Sequence, residues 1–136
     1  MVRELSVVAV TVPGMRENYA SGGDFEDVYG YSRAVRVGDH IHVAGTCARA
    51  LDGTDTYTQA KEALSIIEAA LKEAGSGPAD VVRTVTYVTD IGDKLQVARA
   101  HAEVFGDVRP AATLVEVRAL VDPRMTVEIE AYAIAT

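Results

Sequence analysis

The chain has 136 residues, 49% hydrophobic and 24% charged, enough for one domain with a buried core. Thirteen Lys and Arg stand against twenty Asp and Glu, a net charge of −7, and the cations are scattered. That balance repels phosphate backbones and speaks against a nucleic-acid binder.

The N-terminal MVRELSVVAVTVPG is apolar but lacks a long core with a cleavage site, so no signal peptide is expected. No run approaches the ~18 apolar residues of a membrane span, and no membrane partner is expected. The single cysteine, Cys47, allows no internal disulfide and points to a reducing, cytoplasmic setting.

Within that N-terminal stretch, Glu4 to Val12 is β-branched and apolar and predicts a strand. Pro13 to Asp27 (PGMRENYASGGDFED) has no period and reads as a loop. Tyr31 to Val37 alternates, Gly38-Asp39 makes a turn, and Ile41 to Gly45 returns, which predicts a β-hairpin. Thr56 to Ala74 is the clearest helix, with Ala60, Ala63, Leu64, Ile67, Leu71 and Ala74 on one face. Gly75 and Pro78 mark its end.

Val81 to Thr89 is dense in β-branched residues and predicts another strand. Lys94 to Phe105 predicts a second helix, with Asp93 as N-cap, Gly106 as stop, and Leu95, Val97, Ala98, Ala102 and Phe105 inward. Thr113 to Leu120 and Thr126 to Ala133 predict two final strands, separated by Asp122-Pro123. The expected architecture is one α+β domain over 1–136, a six-stranded mixed sheet with two helices on one face. The other face carries many apolar residues and calls for a partner subunit.

Few constellations carry chemistry by themselves. His40 and His42 share a strand face, but no carboxylate or thiol completes a metal set. Cys47 reads as a small buried thiol, because nothing in the sequence supplies the cation that would activate it. Glu128 and Glu130 also share a face, an arrangement open to acid–base chemistry, though such glutamates are more often simply solvated. The glycines form neither GxGxxG nor a Walker pattern, so no nucleotide site is implied.

Several stretches together resemble the YjgF/Rid family, the reactive-intermediate deaminases also described as endoribonuclease L-PSP. They are GYSRAVRVGDHIHVAGT at 30–46, QAKEALSIIEAAL at 59–71, DVVRTVTYVTD at 80–90, HAEVFG at 101–106, RPAATLVEV at 109–117 and VEIEAYA at 127–133. The resemblance implies a chorismate-mutase-like fold and a homotrimer whose sheets close a central barrel. It implies small-molecule sites in clefts between subunits, where enamine or imine metabolites are hydrolysed without metal or organic cofactor. Carried over position by position, Glu128 matches the glutamate that activates water. Tyr31 and Gly45 match cleft residues, and Thr46, Cys47 and Thr113 stand beside them.

The chain departs from the family pattern at Ala112, where active deaminases carry the arginine that pairs with the substrate carboxylate. Alanine cannot form that bidentate pair. Activity on 2-aminoacrylate is therefore not expected, and Arg109 or Arg33 is the candidate replacement cation. Three readings follow: a Rid-like hydrolase with an altered substrate, a non-catalytic metabolite-binding trimer, and a ribonuclease, which the net charge opposes.

Overall fold

The computed structural model describes residues 6–12 and 15–136. One sheet runs through the described residues. Its strands are β1 (Ser6–Val12), β2 (Arg16–Ala20), β3 (Ala34–Val37), β4 (His40–Thr46), β5 (Val81–Val88), β6 (Ala111–Glu116) and β7 (Val127–Ile134). Their order is β1-β2-β3-β4-β7-β5-β6. All six expected strands are present, and β2 is a seventh. Only β5 and β6 pair in parallel; the rest are antiparallel. The predicted hairpin is β3–β4, with Val35 opposite His42.

The helices are α1 (Asp24–Tyr29), α2 (Thr56–Glu73) and α3 (Lys94–Phe105). Asp55 caps α2 by accepting a 2.8 Å bond from the Thr58 N–H. The predicted α2 stripe is fully buried: Ala60, Ala63, Leu64, Ile67 and Leu71 pack on β4 and β7. Parity along β7 shows why both long helices lie on one face. Val127, Ile129, Ala131 and Ala133 are buried beneath them, while Glu128, Glu130 and Tyr132 point the other way, half-buried.

Two expectations are corrected. The stretch Pro13 to Asp27, read as a loop, holds β2 and the first four residues of α1. RENYA has too few apolar residues to show a strand period, yet Tyr19 is buried in the core opposite Ala34. Helix α1 is only six residues, shorter than two turns, so no amphipathic stripe can register. On α3 the buried residues are Val97, Ala100 and Phe105, and Leu95 is 76% exposed. The stripe Leu95–Ala98–Ala102 has helical spacing too, and composition alone could not say which stripe faces the sheet.

Candidate functional site

A cavity of about 780 Å³ opens where the ends of β4 and β7 meet α1 and the loop into β3. Its walls include Phe25, Tyr29, Leu51, Val121 and Met125, and its polar groups include Tyr31, Arg33, Cys47 and Glu128. Two local devices place these groups. Gly30 takes φ +84°, a left-handed turn that ends α1 and directs the chain to Tyr31. The buried Glu26 carboxylate accepts from the Ser21 N–H at 3.1 Å, the Gly23 N–H at 3.2 Å and the Ser21 hydroxyl, which ties α1 to the end of β2.

Gly45 allows a close approach. A Cβ there would stand 2.8 Å from Glu128 Oε2 and 2.9 Å from Glu128 Cδ, so only glycine lets the carboxylate rest on the β4 backbone. Cys47 Sγ lies 3.5 Å from Glu128 Oε1 and donates to it. Burial, and then the neighbouring Glu128 charge, push the Cys47 thiol up to about 12. The thiol is thus a protonated neighbour of Glu128 and no nucleophile at neutral pH.

Behind β7, the fully buried Gln59 of α2 accepts from the Thr126 N–H at 2.9 Å and donates to the Arg124 carbonyl at 3.0 Å. It fixes the entry to the strand that carries Glu128.

Arg33 is 8% exposed and lines the same cavity. Its Nη1 donates to the Gly45 carbonyl and to Thr46 Oγ1, both at 2.8 Å, and its Nη2 to the Tyr31 hydroxyl at 2.9 Å. The guanidinium carbon stands 5.3 Å from the Tyr31 ring centroid. It makes no ion pair with a described carboxylate, and its buried Nε–H has no partner among the described residues.

The sequence-chosen residues thus fall into two groups. Tyr31, Gly45, Cys47 and Glu128 share the cavity. Thr46 lies beside it, 1% exposed, and its hydroxyl holds Arg33 and the Ala44 carbonyl rather than lining the space.

Arg109, Ala112 and Thr113 are elsewhere in the chain. Arg109 occupies an exposed turn at φ +55°. Thr113 sits opposite Val85 and accepts from Arg83 Nη2 at 3.3 Å. Glu128 is in register with Tyr87 and, one strand further, with Val115. Ala112 is therefore two strands across and three residues along, about 14 Å away. Ala112 also pairs with the buried Thr84, so it shares the helix side of the sheet. Within one chain Ala112 and Glu128 cannot share a pocket.

Sequence reasoning missed Phe25 and Tyr29. Their spacing of four residues was the available signal, but Phe25 fell in a segment read as loop and Tyr29 just beyond it.

Glu130 has a different setting. Its carboxylate accepts from the Tyr87 hydroxyl and faces a concavity of about 420 Å³ with Arg16, Arg83, His42 and Tyr132. The Tyr87 phenol is pushed up to about 12, chiefly by that bond. His40 and His42 flank the Tyr132 ring.

Comparison with known proteins agrees with this fold. The family model described as "Endoribonuclease L-PSP" matches residues 24–135. An uncharacterized protein of Streptomyces coelicolor is 40% identical over 118 residues, covering 82% of this chain and 88% of that protein. A RutC family protein of Pyrococcus abyssi is 36% identical over 110 residues, covering 76% and 84%. The crystal structure of Rv2704 from Mycobacterium tuberculosis, a YjgF/YER057c/UK114 family member, superposes with a TM-score of 0.84 at 48% identity, covering 88% of this chain and 99% of that one.

Proposed function

This chain belongs to the YjgF/Rid (endoribonuclease L-PSP) family, and from that premise we propose that it is a Rid-like hydrolase of enamine or imine metabolites, working without cofactor in clefts between subunits of a homotrimer. The observation that carries the reading is the Glu128 carboxylate, resting on Gly45 at the floor of a largely apolar cavity.

In this reading Glu128 takes a proton from water as the oxygen adds to the C=N carbon. Glu128 returns that proton to the nitrogen, giving a carbinolamine; its C–N bond then breaks as the hydroxyl proton passes to the departing nitrogen, leaving a carbonyl compound and ammonia. The protonated Cys47 thiol donates to the carboxylate and helps orient it. The separation of Ala112 from Glu128 within one chain supports clefts built from two subunits. No described helix is long and apolar enough to cross a membrane.

Ammonia release from imines generated in situ by an amino-acid oxidase tests the activity. Glu128→Gln is expected to lower turnover about a hundredfold or more. Release no faster than in buffer, from folded protein, would refute it. The assembly is tested by light scattering, where a mass near three times 14.5 kDa is expected.

Ala112 favours a second reading, a metabolite-binding trimer without catalysis. That reading predicts a saturable thermal shift that Glu128→Ala barely changes.

A further inference from the structure

Arg33 is a buried cation whose partners are all neutral. A guanidinium has five N–H donors. Three are spent on the Gly45 carbonyl, Thr46 and Tyr31, and the buried Nε–H is unmatched. A buried charge compensated only by dipoles is costly, and an anion is its natural complement. The position that would otherwise supply a carboxylate anchor holds Ala112, which presents no charge.

The cavity mouth has a second unexplained property. Phe25 stacks on Tyr29 at 5.6 Å, and Tyr31 meets both rings edge-on at 6.4 and 5.9 Å. Phe25 is 46% exposed, Tyr29 75% and Val121 69%. In the single chain these large apolar groups stand exposed around one opening, as the walls of a site for an apolar ligand do.

We propose that the cavity selects a 2-imino acid with an aromatic or similarly large apolar side chain, its carboxylate held by Arg33 and its side chain by Phe25, Tyr29 and Tyr31. This rests on the hydrolase reading above and narrows its substrate class.

The chemistry fits the spacing. In a 2-imino acid the carboxylate is bonded directly to the C=N carbon. Here the Gly45 carbonyl accepts from Arg33, while a Cβ on Gly45 would stand 2.8 Å from the Glu128 carboxylate. Cation and base thus flank a single residue, and the Tyr31 ring continues from Arg33 into the aromatic mouth.

The test is isothermal titration of the full-length assembled protein with three stable probes. Phenylpyruvate carries both features, pyruvate only the acid, and phenylacetone only the ring. Phenylpyruvate is expected to bind at least about tenfold tighter than either of the others. Arg33→Gln is expected to weaken phenylpyruvate and pyruvate about tenfold or more and to leave phenylacetone unchanged. Phe25→Ala should weaken phenylpyruvate and phenylacetone and spare pyruvate.

Equal affinity for phenylpyruvate and phenylacetone overturns the proposal, as does absence of phenylpyruvate binding. A folded Arg33→Gln variant that binds phenylpyruvate like wild type also overturns it. If that variant fails to fold, the wild-type ranking and Phe25→Ala decide. Tight phenylpyruvate binding without ammonia release from the matching imine refutes the hydrolase and leaves this inference standing. Ammonia release from neutral imines without preference for the acid does the reverse.

Discussion

Glu128 and Glu130 stand two residues apart on β7 and project from the same face of one sheet. The first lies in an apolar cavity against the Gly45 backbone, with a thiol as its hydrogen-bond donor. The second accepts from Tyr87 on a polar concave face beside Arg16 and Arg83. Spacing makes the two equivalent; their neighbours make one a candidate base and the other part of a polar network. A carboxylate becomes chemically useful through what desolvates and aims it, and β4 supplies that only at Gly45.

The comparison is broken most directly by exchanging each acid for its amide. Glu128→Gln is expected to cost about a hundredfold or more in turnover. Glu130→Gln is expected to leave turnover near wild type while costing ~1 kcal/mol of stability. In that variant the Tyr87 phenol should titrate back towards its ordinary 10.0, from about 12, in an ultraviolet pH titration. Equal turnover losses would show that the two sites are not distinct.

Gly45→Ala comes next, because its methyl group displaces the Glu128 carboxylate without touching its chemistry. A loss of about tenfold in turnover is expected, with Glu130 and Tyr87 unaffected.

A smaller effect sharpens the contrast through Cys47. Its folded pKa lies above the unfolded value, so the stability it contributes is complete below about pH 9.0 and is lost as pH rises towards about 12. Removing the Glu128 charge lowers that pKa, so iodoacetamide should alkylate Cys47 faster in Glu128→Gln than in wild type around pH 9.0. Glu130→Gln should not change the rate.

The smallest effect is a control. Burial lowers the pKa of His101 from 6.5, and its Nε2 lies 2.8 Å from Thr84 Oγ1. Its stability contribution is therefore present above about pH 6.5 and lost as pH falls below it. His101→Gln should flatten that acid-side slope in thermal melts without altering either glutamate's behaviour.

Much of the frame was legible in the order of residues. Strand and helix periods are local properties, and they gave α2, α3 and six strands in place. The family resemblance pointed to Tyr31, Gly45, Cys47 and Glu128, which the fold brings to one cavity. Helix α1 and strand β2 were illegible because short or polar segments carry no period. The true inward stripe of α3 was ambiguous because two stripes share helical spacing.

The sequence by itself determined the α+β class, the family and the absence of an arginine at Ala112. Only the tertiary structure decided that Arg33 is a buried cation with no described carboxylate beside it, that Phe25 and Tyr29 frame the opening, and that Ala112 lies out of reach of Glu128 in its own chain. Periodicity is set by neighbours along the chain. Burial, charge pairing and cavity walls are set by neighbours in space, which sheet pairing and the packing of α1 and the loops bring together.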